Sequence, residues 1–339
     1  MISILLFFIG ASLLLYVVLG GADYGAGILE LMHSGKYREK QKALINHAMG
    51  PVWEANHMWL IIVVVILFVG FPKAFMTIMT SLHIPMVALL IGIVIRGAVF
   101  TFRNYDAIQD PQTQKIYTVL FGLSSLWTSL WLGIIAGSLF HGDIDSHSTN
   151  IVDAYVLSWF GGFQLAMGLF VVSIFAYLAS IYLIGETTDP AMKRYFLRRA
   201  FTLNICVVLN GGLVFLASYL EQGNLVGKFF ESPYALACLI AASLFFVLLW
   251  KAANKKNIYV TRVLAAGQIA LILFGWYSIY APNALLDKAG PLTFFASAAP
   301  EAALWQLTIA LLVGSLFIFP SLFYLLKVFK SHPDSQSGA

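Results

Sequence analysis

Apolar runs of about twenty residues recur from Ile2 almost to the C-terminal tail, separated by short polar connections. As an α-helix, a run of that length rises about 30 Å, the thickness of a bilayer's hydrocarbon core. Such runs fall near residues 3–29, 52–71, 80–102, 117–140, 153–184, 199–220, 233–251, 259–281 and 304–327. Strands of a membrane barrel would be about ten residues long and would alternate apolar with polar. These runs are longer and apolar at both parities, so helices, which satisfy their own backbone groups in lipid, are required. The chain is therefore predicted to be an all-α integral membrane protein with nine transmembrane helices. Residues 1–330 form a single polytopic membrane domain, and residues 331–339 a short polar tail.

Composition agrees. Charged residues make up 11% of the 339 residues, against about 25% in soluble domains. High hydrophobicity with low charge excludes intrinsic disorder. The two cysteines, Cys206 and Cys238, lie inside apolar runs and make no disulfide scaffold. No basic patch is interleaved with aromatics, so nucleic-acid binding has no support. Met1–Ile4 lacks the basic segment that opens a signal peptide and reads as the start of the first span.

The basic residues set the orientation. Lys36, Arg38, Lys40, Lys42, Arg103, Lys115, Lys193, Arg194, Arg198, Arg199, Lys251, Lys255, Lys256, Arg262, Lys327 and Lys330 fall in one set of connections; Lys73, Lys228 and Lys288 fall in the other. Basic residues favour the cytoplasmic side. The expectation is an N-terminus outside and a C-terminus inside.

Ionisable groups at membrane depth are costly and point to function. Asp23, Glu54, His57 and Arg96 are the four that stand out. Counting along the spans at about 1.5 Å per residue brings all of them toward the cytoplasmic half. Glu54 and His57, three residues apart, are expected to share a helix face. Asp23, Glu54 and Arg96 are expected to form one paired network, serving either proton or quinone chemistry or simple helix-to-helix adhesion.

Haem needs axial ligands on facing helices. Of His33, His47, His57, His83, His141, His147 and His332, only His57 lies clearly inside a predicted span. No haem or metal is expected to be held by this chain alone. The segment His141–His147 lacks the ligand spacing of a calcium loop and reads as a solvated loop. Gln164, Asn204, Asn210 and Gln268 read as interhelical hydrogen-bond formers. Trp53, Trp59, Trp250 and Trp305, near span ends, read as interfacial anchors. Gly20, Gly21, Gly25 and Gly27 make the first span glycine-rich, as close helix packing requires.

Three segments carry a family resemblance. Gly20–Leu29, GGADYGAGIL, resembles the glycine-rich first helix of subunit II of cytochrome bd quinol oxidases. Gly50–Leu60, GPVWEANHMWL, is similar to that family's second-helix motif, Gly-Pro-x-Trp-Asp/Glu-x-Asn-x-x-Trp-Leu. Arg96–Arg103 resembles its third-helix Arg-Gly-x-x-Phe-x-Phe-Arg segment. Many members have Asp where this chain has Glu54, and the position of His57 varies, so His57 inherits no role. The rest of the chain matches mainly in hydropathy.

The resemblance implies a complex in a bacterial or archaeal plasma membrane that oxidises quinol and reduces O₂. It places haem b and haem d in a larger partner, subunit I, and some members add a small single-span subunit or hold a structural quinone. This chain would be the non-haem partner, in contact with lipid and quinol, supporting assembly and cytoplasmic proton delivery. On that reading Asp23, Glu54, His57 and Arg96 are proton-transfer candidates. Gly20, Gly21, Gly25, Trp53, Asn56, Trp59 and Arg103 are interface or packing candidates. The competing readings are a secondary transporter with an Asp/Glu/Arg ion site, for which paired broken helices are not seen, and a purely structural subunit.

Overall fold

The computed structural model describes residues 1–32, 35–50, 53–105, 110–255 and 257–330. His33, Pro51, Lys256 and the tail 331–339 with His332 lie outside the described residues. Among those described, nine helices are long and apolar enough to cross a membrane.

The first span, Ile2–Leu31, is composite: α1 (Ile2–Leu15), a π-helical turn (Tyr16–Gly20) and α2 (Gly21–Leu31). A helix α3 (Arg38–Met49) occupies the following connection. Next come the span α4 (Trp53–Gly70), the short α5 (Pro72–Ser81), and the spans α6 (His83–Tyr105) and α7 (Pro111–His141). After the single turn α8 (Ile151–Tyr155) come the spans α9 (Gly162–Glu186) and α10 (Pro190–Leu220), then the short α11 (Leu225–Glu231). The chain continues through α12 (Pro233–Asn254), α13 (Ile258–Tyr280), a hairpin of β1 (Asn283–Asp287) and β2 (Gly290–Thr293), and α14 (Glu301–Lys330).

The starts of these helices are written in the sequence. Asp110, Asp189 and Ser232 each precede a proline at the first helical position and accept a backbone N–H from Thr113, Ala191 and Ala235. A capping oxygen followed by a residue with no N–H to satisfy is a strong start signal. Gly142, at φ +100°, ends α7 in the left-handed conformation that glycine adopts without strain.

The fifth span begins at Gly162, not near residue 153. Asn150 caps α8 as a separate turn, Gly161 is extended, and the Glu221 carboxylate accepts the N–H groups of Gly162 at 2.6 Å and Phe163 at 3.2 Å. A fresh helix start capped by a distant carboxylate interrupts what looked like one apolar run. The connection after α13 also holds the antiparallel hairpin, pairing Asn283 with Thr293 and Asp287 with Gly290.

α9 is the central post. Tyr177, Leu178, Ala179 and Leu183 are fully buried, and α2, α7 and α10 pack around it. Smaller cores join α1, α4 and α14, and α5, α6, α7 and the hairpin. The bundle thus has an end that carries α3 and an opposite end that carries the hairpin.

Candidate functional site

Every residue from Gly21 to Glu30 is buried. This is possible because glycine removes the side chains that would hold neighbouring helices away. A Cβ at Gly25 would overlap the Phe175 carbonyl of α9, and one at Gly27 would overlap the Ser125 side chain of α7. Gly21 faces Phe175, and Gly20 lies against the ring of its own Tyr16. These glycines therefore pack within this chain.

Asp23 and Arg96 meet at 2.6 Å, with side chains 1% and 1% exposed. Arg96 donates its Nε–H to Ser125 Oγ at 3.1 Å and stacks over Tyr24 at 4.6 Å. Tyr24 and Tyr16 share a hydroxyl contact of 3.1 Å. A carboxylate and a guanidinium this deeply buried are tolerated only together, because either alone would carry an uncompensated desolvation penalty.

A second pair repeats the arrangement toward the α3 end. Arg103 Nη1 donates to Glu30 Oε2 at 2.8 Å, again almost wholly buried, and Nη2 donates to Asn46 Oδ1 of α3. Asp23 to Glu30 and Arg96 to Arg103 are both steps of seven residues, two helical turns, which return to the same helix face. The ring of Phe121 on α7 lies between the two guanidinium groups, 5.0 Å from Arg96 and 4.3 Å from Arg103. Farther out, Gln114 donates to the Arg103 carbonyl at 3.2 Å and accepts from Lys42 Nζ at 3.3 Å. Burial, then repulsion by Arg103, lowers the Lys42 pKa, partly offset by Glu30 and Glu39. The polar contacts thus run from α3 inward to the Glu30–Arg103 pair, and the Phe121 ring stands between that pair and Asp23–Arg96.

Glu54 does not join this network, contrary to the expectation of one Asp23–Glu54–Arg96 cluster. It is exposed in the first turn of α4 and has no ion pair among the described residues. The buried stripe of α4 is Asn56, Trp59, Val63, Ile66 and Gly70. Glu54 is two residues from Asn56, which places it on the far side of the helix. Asn56 donates to the Leu19 carbonyl at 3.5 Å. His57 is half-buried, edge-on to Tyr24 at 5.9 Å and to Trp53 at 6.2 Å, so it borders the Asp23 site while Glu54 does not.

Other expectations are corrected as well. Trp59 is 3% exposed and packs in the core, so it is not an anchor at the membrane surface; Trp53 is half-buried against Phe100. The loop after α7 is tied down: the His141 side chain is buried, with Nδ1 2.7 Å from Asp143 Oδ2 and Nε2 3.6 Å from Glu221. Gln164 donates to Asp143 at 2.7 Å, so it bonds a loop carboxylate and not another span. Asn210 does bridge helices, to the Leu169 carbonyl, and Gln268 accepts from Tyr177. Asn204 is fully buried and its side-chain amide has no hydrogen-bond partner among the described residues.

Three of the described histidines have defined neighbours within the fold. His57 is engaged with Tyr24 and Trp53, His83 with Tyr155 and the Thr80 carbonyl, and His141 with Asp143 and Phe163. Among the described residues no cluster of three or more His, Cys, Asp or Glu is placed to hold a metal.

Glu30, Asn46, Phe121 and Ser125, with Tyr16 and Tyr24, are members of the site that sequence reasoning missed. The repeated seven-residue step linking Asp23 to Glu30 and Arg96 to Arg103 was the available signal.

Comparison with known proteins is consistent along the chain. A family model described as cytochrome bd terminal oxidase subunit II matches residues 1–329. The chain is 26% identical to Cytochrome bd ubiquinol oxidase subunit 2 of Bacillus subtilis over 185 residues, which is 52% of this chain and 52% of that protein. It is 24% identical to Cytochrome bd-I ubiquinol oxidase subunit 2 of Escherichia coli K12 over 179 residues, 52% of this chain and 43% of that protein. These two matches each span about half the length of the relative concerned. A chain in the structure of bd oxidase from Geobacillus thermodenitrificans has the same fold, with a TM-score of 0.78, 20% identity, and coverage of 97% of this chain and 99% of that one.

Proposed function

This chain belongs to the cytochrome bd terminal oxidase subunit II family, and on that premise we propose that it is the non-haem partner of a haem-bearing subunit I in a quinol:O₂ oxidoreductase of the bacterial plasma membrane. Its role is to support assembly and to admit cytoplasmic protons toward the partner's O₂-reduction site. The observation that carries this reading is the Asp23–Arg96 pair, a titratable group held at membrane depth by charge and reached through a second pair at the α3 end. The excess of Lys and Arg at that end supports placing it in the cytoplasm.

Reduction of O₂ to water consumes protons, which must cross a low-dielectric region through titratable groups and water. In this reading Glu30 and Asp23 are the buried relay groups. Each is held in place by its own arginine, Asp23 by Arg96 and Glu30 by Arg103. Glu54, exposed at the start of α4, faces the partner and acts across that boundary; an ionised carboxylate turned to lipid would be costly. His57 borders Tyr24 next to Asp23 and lines the same route.

A purely structural role is the second reading, favoured by the one-to-one matching of both charge pairs. Oxygen consumption by the intact complex with quinol separates the two. Glu54→Gln and Asp23→Asn are expected to slow turnover in complexes that retain full b- and d-type haem absorption. Wild-type rates in fully assembled variants would leave the structural reading standing. A chain that purifies without a haem-bearing partner would remove the oxidase assignment.

A further inference from the structure

Apart from the charge pairs, the α3 end of the bundle contains a cleft of about 420 Å³ where four spans terminate, a size typical of small-ligand sites, about 300–1,000 Å³. Its inner wall is apolar, with Ile181 and Ile184 from α9, Leu197 from α10 and Ile258 from α13. Its rim carries Lys193 and Arg194, in the first turns of α10. No carboxylate lines it.

The neighbouring acidic groups are already matched. Glu186 pairs with Arg262 at 2.7 Å, and Asp189 pairs with Lys40 at 3.4 Å. Lys193 and Arg194 have no ion pair among the described residues. On the other side of α10, Arg198 and Arg199 line a second hollow of about 280 Å³ with Tyr195, so positive charge continues around this turn of the helix.

The geometry points to a binding site for one anionic phospholipid, with its phosphate at Lys193 and Arg194 and its acyl chains along the apolar wall. A soluble phosphate would leave that wall wet. A zwitterionic lipid would satisfy the two cations poorly. An anionic phospholipid matches both features, and basic pockets at the ends of membrane helices are suited to such headgroups. The inference does not depend on the chain's role in oxygen reduction.

Native mass spectrometry of the detergent-purified protein with its native partners tests this site. The probes are dioleoyl phosphatidylglycerol, dioleoyl phosphatidylcholine and inorganic phosphate. Phosphatidylglycerol is expected to bind about tenfold more tightly than phosphatidylcholine. The double variant Lys193→Gln/Arg194→Gln should lose that preference, whereas Lys193→Arg/Arg194→Lys should keep it. Leu197→Trp, which fills the wall, should weaken both lipids. Equal binding of the two lipids by the wild-type protein, an undiminished preference in the double Gln variant, or displacement of phosphatidylglycerol by inorganic phosphate would each overturn the assignment.

Discussion

Asp23 and Glu30 stand two turns apart on α2, and each meets its own arginine on α6, at 2.6 Å and 2.8 Å. Both helices lie against α7, whose Phe121 ring fills the space between the guanidinium groups. The first, third and fourth spans are thereby joined at two levels by groups that none of them can bury alone. Any relay through this region shares its residues with the fold, so assembly and turnover must be measured separately.

Removing both members of the inner pair should cost less than the two single removals added together. Asp23→Asn leaves the Arg96 charge buried and uncompensated, a change of about 3–5 kcal/mol in comparable sites. The double variant Asp23→Asn/Arg96→Gln removes the stranded charge. Thermal unfolding of the purified complex should show the double variant less destabilised than the sum of the single changes. Strictly additive shifts would mean that the two side chains do not stabilise one another.

Arg103→Lys should not behave as a conservative change. The guanidinium reaches Glu30 and Asn46 at once and stacks 4.3 Å from the Phe121 ring centroid. An ammonium keeps the charge but cannot reproduce the planar fork or the stacking. A loss of about 1–3 kcal/mol is expected, read as a lowered unfolding midpoint. Phe121→Leu should shift it in the same direction. An unchanged midpoint in both variants would show that charge alone holds Glu30.

Gly25→Ala should destabilise by about 1–3 kcal/mol, because the added methyl group meets backbone of α9, which cannot rotate away as a side chain can. Gly212 on α10 is the control: a Cβ there meets nothing within 4 Å. Gly212→Ala should be neutral or slightly stabilising through helix propensity. The comparison needs only the yield and melting behaviour of the two purified variants. Equal behaviour would contradict the close α2–α9 approach.

The helical membrane architecture was legible because span length and apolarity are set by the bilayer itself, and the Asp-Pro and Ser-Pro starts of α7, α10 and α12 were written locally. The facing of α4 was not. That helix is apolar on every side, so no stripe in the sequence indicated which side Glu54 would occupy. Its phase is set by Asn56, Trp59 and Val63 packing in the folded chain. Glu30 was hidden for a different reason: at the end of its span it reads as a residue of the polar connection, and its burial and its pairing with Arg103 arise only in the folded chain. The break before Gly162 depends on Glu221, 59 residues away in sequence, so local sequence could not reveal it.

Acid should loosen the hairpin end of the bundle through Asp143. Burial raises the pKa of this loop carboxyl, but hydrogen bonds from His141 and Gln164 outweigh burial and hold it below the ordinary value. A carboxylate depressed in the folded state contributes stability that is fully present above its unfolded pKa, about 4. That contribution is lost as pH falls through the lower folded value. Below about pH 4, the wild-type unfolding midpoint should therefore drop more steeply than that of Asp143→Asn, which retains an oxygen acceptor but does not titrate. The measurement is tryptophan fluorescence during heating of the purified protein in a neutral detergent, so that the micelle adds no titrating group. Parallel curves for the two proteins across the acid range would show that Asp143 does not contribute to acid sensitivity.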